Sequence, residues 1–497
     1  MPTSLGSSPS PGDFSGPAAH HRGGILLAIL VLAEVVSAFE SSMVFVAVPR
    51  LMEEFDASAA DVGWALTAFL LVTAASAVLT GRLGDIYGRK KVLTMVLALS
   101  ALGSVLSILG DSLGYVIAGR ALQGVAGGIM PLCFGLARAL LPKDRVAVAV
   151  GLIAGSALIA GALGSIVSGF IVDHTHWQWI FVIAAAFAAI ATVAVLVGVP
   201  GDGMLDEGAR TDWLGAVLLP LAVGLALLAV TSGETKGWTS VFVLGLFGAG
   251  AVFLFLWVGW QLRAGSPLFD VRLLRRRDLG TAYLVTLLVA LGALGVAPVV
   301  TPLMLQAPTT APVGFGVSAT TAGYIGGATA LVGFAVAPLS GRLAARRGAA
   351  RVVLAGVVLL AIGMILLGVW RGSAVGFGCA TLLASVGTGF AYSALPNYVV
   401  DCVPPERTGE ATGFATLLRG TFNAVAAAVV GTILASDVVP GTPFATHEAY
   451  DLLFVFAAVC CVLAVVCAAT LPARGRPTDG GLAKTDAVDA SQAGVAG

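Results

Sequence analysis

Four ionisable side chains sit deep inside long apolar stretches of this sequence: Glu34 and Glu40 in one run, Arg120 in a second and Arg419 in a third. A charge at the centre of a bilayer costs roughly 2.5–3.5 kcal/mol on insertion scales, so each is expected to face a partner or a passage. A carboxyl in low dielectric holds its proton, and hydration or a nearby cation makes it release it. Glu34 and Glu40 are therefore candidates for proton binding; a carboxyl permanently hydrogen-bonded between helices is the bland alternative. On a helix the two acids stand about 9 Å apart along the axis and ~120° apart around it, so they do not share a face. Arg120 can bias their ionisation or clamp backbone carbonyls, and Arg419 suits bundle packing or a cavity wall.

A second concentration of charge is TGRLGDIYGRKKVL at 80–93, where Asp85, Arg82, Arg89, Lys90 and Lys91 lie between two apolar runs. Cations beside a span fix its orientation, which accounts for Lys90 and Lys91; an acid contributes little to orientation. Asp85 is expected to cap a helix N-terminus and to pair with Arg89 in a partly solvated, breakable ion pair.

The elements that carry these residues follow from hydropathy. Of 497 residues 58% are hydrophobic and 11% charged, mean hydropathy is +0.97, and 27 basic residues balance 27 acidic ones. That balance excludes a broadly basic nucleic-acid surface. Apolar runs of about 20 residues predict an all-α integral membrane protein. Charges, Pro and Gly divide the chain into fourteen spans, at about 25–48, 62–80, 92–110, 113–137, 146–172, 178–199, 213–232, 240–262, 279–305, 318–341, 352–370, 374–399, 410–434 and 452–471. With the N-terminus in the cytoplasm, 22 of the 27 cations fall on the cytoplasmic side and three (Arg50, Lys236, Arg371) outside. The inside set includes Arg210, the arginines of 263–277, Arg474, Arg476 and Lys484. Both termini are then cytoplasmic.

SGRLAARRGAAR at 340–351 repeats the charged turn: GRLGDIYGRKK (81–91) aligns with GRLAARRGAAR (341–351), with Ala345 in place of Asp85. Two six-helix bundles with a substrate path between them are expected, the spans at 213–232 and 240–262 being inserted between the halves. The divisions are 1–24 (disordered tail), 25–200 (first bundle), 201–278 (inserted pair and linkers), 279–472 (second bundle) and 473–497 (disordered tail).

The loop GRLGDIYGRKKVL, with Gly81, Asp85, Gly88 and Arg89 at this spacing, resembles the loop-2/3 signature of the major facilitator superfamily. Fourteen spans and FESSMVFVAVP (39–49) narrow the resemblance to the 14-helix drug:proton antiporter branch, in which Glu40 takes the acidic position, Ser42 the hydroxyl, and Ala47 and Pro49 the close. Trp64 with TAFLL (67–71), GRALQG (119–124) with its intramembrane Arg120, and VPPERTGEATG (403–413) followed by Arg419 fit as well. The resemblance implies the 6+2+6 fold and proton-coupled export of lipophilic drugs or a secondary metabolite by alternating access. It also implies proton coupling at Glu40, with Arg120 biasing its ionisation, and a cytoplasmic latch at the charged turn; Glu34 is the second candidate for coupling as a buried acid of the same helix. Helix 5 departs from the pattern: Gly164-Ser165 and Ser168-Gly169 stand where the branch has Gly-Pro and Gly-Gly. Readings of the same fold that stay open are a dedicated-metabolite exporter and an uptake symporter.

Phe39, Met43, Gln123, Phe390, Tyr392, Asn397 and Arg419 are candidates for an adaptable cavity wall. The span at 281–306, with Gly292, Gly295, Pro298 and Pro302, reads as a gate or a passive kink. No Walker loop points to ATP, and no nucleophile elbow or HExxH points to an enzyme. The six cysteines have no disulfide or zinc spacing, and His174-x-His176 reads as a hydrated loop. Expected partners are a small lipophilic substrate, protons and lipid, with no cofactor, no metal and a monomeric chain. The alanine-, valine- and arginine-rich composition points to the plasma membrane of a GC-rich bacterium.

Overall fold

The computed structural model describes residues 17–44, 47–57, 59–202, 211–440, 442 and 444–472. The tails 1–16 and 473–497 and the cation Arg210 lie outside the described residues.

Among the described residues fourteen helical segments are long and apolar enough to cross a membrane. The first half comprises α1 (Pro17–Met43), α3 (Ala59–Tyr87), α4 (Arg89–Leu109), α5 (Leu113–Gln123), α6 (Ile129–Leu140), α7 (Lys143–His174) and α8 (Gln178–Gly198). A short α2 (Val48–Glu54) follows α1, and α5 and α6 form one span through a 3-10 turn at Gly124–Gly128. The pair α9 (Trp213–Lys236) and α10 (Val241–Gln261) comes next. The second half comprises α11 (Arg277–Val289), α12 (Gly295–Gln306), α13 (Ala319–Arg347), α14 (Ala349–Val369), α15 (Ala374–Cys402), α16 (Thr408–Ser436) and α17 (His447–Ala469).

Several boundaries differ from the expectation: α3 runs to Tyr87 and α13 to Arg347 instead of to about 80 and 341, so Arg82 and Asp85 stand in the last turns of α3 and not in a loop. Residues 17–24, assigned to a disordered tail, are helical, because α1 begins at Pro17. The first helix does not run to residue 48; α1 ends at Met43 and Pro49 opens α2, where its missing N–H and fixed φ suit a first turn. The interrupted span of 281–306 contains a π-turn at Ala290–Leu294 between α11 and α12, ahead of Pro298 and Pro302.

The halves meet along two helix pairs, α3 with α16 and α7 with α13, while α9 leans on both α3 and α16. Small residues set these contacts. Gly81 lies against the backbone of Gly409, Gly413 against that of Ala77, and Gly341 against that of Ala147. With no hydrophobic force between helices in lipid, such close approach supplies the packing. Gly88 and Gly348 begin α4 and α14 with φ of 95° and 86°, a conformation glycine adopts without strain.

Candidate functional site

Glu40 is fully buried near the C-terminal end of α1, surrounded by helices of its own half. Its Oε1 accepts a hydrogen bond from Ser100 Oγ of α4 at 2.5 Å. Its Oε2 has no hydrogen-bond partner among the described residues. Arg120, on α5, donates from Nη1 to the backbone carbonyl of Glu40 and to Gln123 Oε1, both at 2.9 Å. The guanidinium lies 3.9 Å from the centroid of the Phe69 ring. Gln123 Nε2 donates to Ser104 Oγ at 2.6 Å, and Ser104 Oγ donates to the carbonyl of Ser100 at 3.2 Å. The ring so formed ties α1, α4 and α5 together. It can form because Ser100 and Ser104 are one helical turn apart, and because Gly103 and Gly119 let α4 and α5 touch through backbone.

A second site lies between the halves. The cavity is walled by α11, the π-turn, α15 and α16, with Phe134 of α6 closing it from the first half. Its space for water centres is about 20 Å³, room for about one water. Arg419 and Tyr392 line it. The guanidinium of Arg419 stands 4.4 Å from the Tyr392 ring centroid, and its Nη2 donates to Met130 Sδ of the first half at 3.2 Å. Glu34, buried on α1, is within electrostatic reach of both Arg419 and Tyr392. Of the acids on α1, Glu34 is the one coupled to the cavity's Arg419, without itself lining the cavity, whereas Glu40 is enclosed in its own bundle.

Several expected wall residues are elsewhere. Phe39 stacks edge-on against Phe187 at 5.6 Å, and Met43 is fully enclosed in the same apolar cluster. Phe390 packs into the space Gly356 leaves on α14, because it stands about 200° around α15 from Tyr392. Asn397 donates to the carbonyls of Ala147 and Ser393 at 3.0 and 2.9 Å, tying α15 to α7 across the interface. Gln123 belongs to the Arg120 network. Thr286, Thr412 and Thr416 line the cavity and went unnoticed, since a threonine in an apolar helix carries no signal of which way it faces.

The charged turn forms a third assembly. Asp85 accepts from Arg89 Nη2 at 2.7 Å and Nε at 3.0 Å. Across the interface it accepts from the backbone N–H groups of Gly409 and Glu410 at 3.3 and 3.1 Å, in the first turn of α16. Those donors have no partner inside their own helix, and the helix dipole adds to their attraction for a carboxylate. Arg89 also donates to the carbonyls of Pro405 and Gly135, and Arg138 donates to Thr408 Oγ1 at 2.9 Å. The Asp85–Arg89 pair is 0% and 1% exposed, so the expected partly solvated pair is instead wholly enclosed by α6 and α16. Two further acids support it. Asp202 accepts from the N–H groups of Arg89 and Lys90 at 3.0 and 3.2 Å, capping α4 where Gly88 has no side chain to do so. Glu410 is buried and accepts from the N–H of Asp270 at 2.7 Å. In helix 5, Gly164 of α7 lies against Ser42 and the backbone of Phe39, so close packing on α1 persists without the proline.

Residues 30–306 and 282–493 match the Major Facilitator Superfamily, and the chain belongs to that family. Multidrug resistance protein 3 of Bacillus subtilis is 25% identical over 421 residues, 82% of this chain and 78% of that protein. The tetracenomycin C resistance and export protein of Streptomyces glaucescens is 28% identical over 427 residues, 83% and 76% of the two chains. The crystal structure of the human organic anion transporter MFSD10 (TETRAN) superposes with a TM-score of 0.64 at 17% identity, over 90% of this chain and 99% of the other. The protein is thus a multi-pass membrane transporter of this superfamily with fourteen spans, and not an enzyme.

Proposed function

We propose that this transporter exports lipophilic drugs or a secondary metabolite in exchange for protons, by alternating access across a bacterial plasma membrane, with both termini in the cytoplasm. The distribution of cations supports that orientation, and it puts the Asp85 end of the molecule at the cytoplasmic face. In this arrangement the cytoplasmic end is shut by Asp85, Arg89 and the start of α16, and the substrate path opens to the cytoplasm only when those contacts part.

The observation that carries the reading is the state of Glu40. It is a carboxyl inside a membrane span, bonded to one serine through one oxygen and without a hydrogen-bond partner among the described residues at the other. The guanidinium beside it is bonded to its backbone carbonyl rather than to its carboxylate. A carboxyl not locked into an ion pair can take up and lose a proton. Because Glu40 is not in the cavity, proton and substrate do not contend for one space at that residue. Coupling instead passes from Arg120 and Gln123 into the 3-10 turn Gly124–Gly128, whose glycines pack on α3, the helix that carries Asp85 in its last turn. Glu34, coupled to the Arg419 of the cavity wall, is the acid through which substrate and proton can oppose each other more directly. The export direction and the lipophilic cargo are supported by the relatives named for multidrug resistance and for tetracenomycin C export.

Everted membrane vesicles test the reading. Uncoupler-sensitive accumulation of lipophilic compounds inside everted vesicles is the expected result. Accumulation only in right-side-out vesicles would instead establish an uptake symporter, the reading to which the missing helix-5 proline lends weight.

A further inference from the structure

The interface cavity combines an apolar body with one guanidinium that makes a single weak hydrogen bond. Phe134, Val289, Leu395 and Val399 give it a hydrocarbon surface. Its threonines contribute no free donor: Thr286, Thr412 and Thr416 donate their hydroxyls to the carbonyls of Ala282, Thr408 and Thr412. Arg419 is different. It carries five N–H groups, and among the described residues its one hydrogen bond goes to the thioether of Met130, a weak acceptor. Its planar face rests on Tyr392, which holds the fork in one orientation. A half-buried guanidinium at this depth is costly unless an acceptor meets it, and its geometry matches a carboxylate or phenolate.

We propose that this cavity, which holds about one water while the halves are closed and must widen as they part, selects amphipathic organic anions: an aromatic or polycyclic body lies against the apolar wall, and an acidic oxygen is taken by Arg419, with the hydroxyl of Tyr392 beside it. The inference rests on the export reading for the route of such a molecule, and it names the class of cargo. Lipophilic cations are disfavoured by the same guanidinium.

The test is binding to the purified full-length chain in phosphatidylcholine nanodiscs, read by energy transfer from its tryptophans to pyrene probes that differ only in the head: pyrenebutyrate, pyrenebutanol and pyrenebutylammonium. The expected order is carboxylate, then alcohol, then ammonium, with the carboxylate ahead of the alcohol by about tenfold, or ~1.4 kcal/mol. Arg419→Gln is expected to erase that preference and leave the alcohol unchanged. Arg419→Lys retains part of it. Equal or tighter binding of the ammonium probe overturns the proposal, as does a carboxylate preference that survives Arg419→Gln. If Arg419→Gln fails to fold, the wild-type probe order alone decides. No gradient is present in this assay, so its outcome is independent of whether export is proton-driven.

Discussion

Gly88 and Gly348 turn the chain with φ of 95° and 86° at equivalent places in the two halves, yet the side chains around them have opposite fates. In the first turn Arg82, Asp85 and Arg89 are buried, and Asp85 reaches across the interface to the free N–H groups of α16. In the second, Ala345 and Ala349 replace the acid and the arginine, and Arg342, Arg346 and Arg347 face outward. Both turns still bring a glycine onto the opposite half, Gly81 at Gly409 and Gly341 at Ala147. The difference separates two jobs that the sequence repeat runs together. Close packing of the halves needs glycine and a tight turn, and both copies supply it. An electrostatic tie that can be made and broken needs a carboxylate facing a helix N-terminus, and one copy supplies it.

That contrast can be broken most sharply at Asp85. Asp85→Asn leaves Arg89 buried without its counter-charge, a loss of about 3–5 kcal/mol in arrangements where the turn is closed. Spin-label distances across the Asp85 end are expected to lengthen, and efflux at matched membrane abundance to fall by more than tenfold; unchanged distances and efflux would remove the latch. Next in size come Gly81→Ala and Gly341→Ala. In each a methyl group meets backbone of the other half, and overpacking of about 1–3 kcal/mol is expected from both. Similar losses of thermal stability would show that packing is shared; a loss from Gly81→Ala alone would deny it. The double variant Asp85→Ala with Arg89→Ala copies the second turn into the first. Removing both charges avoids a stranded ion, so its melting temperature is expected above that of Asp85→Ala alone, in a clearly non-additive cycle. The smallest effect is expected from Arg346→Gln with Arg347→Gln: exposed cations outside a packed contact change stability by about 0.5 kcal/mol or less, and efflux stays within twofold.

Much of the fold could be read from the chain because the signals are strong and local. Runs of apolar residues, a turn rich in glycine and cations, and its second copy mark the fourteen spans and the two halves. Asp85 and Arg89 were legible for the same reason, being charges where hydrocarbon is the rule. The cavity was not. Phe390 and Tyr392 are equally suited to a wall, and only the packing of α15 on α14 decides that the first is core and the second faces the passage. Long-range partners were also out of reach: nothing near Ser100 marks it as the donor to Glu40, and Asp202 caps a helix begun more than a hundred residues earlier. The depth of Asp85 was misjudged because its cover comes from α16, remote in sequence.

A titrating carboxyl at Glu40 is tested most directly by a pH jump imposed on proteoliposomes containing the wild type or Glu40→Gln, with substrate movement against its gradient as the readout. Uphill transport by the wild type, and none by Glu40→Gln while that variant still binds substrate, is the expected result. Uphill transport retained by Glu40→Gln would contradict it.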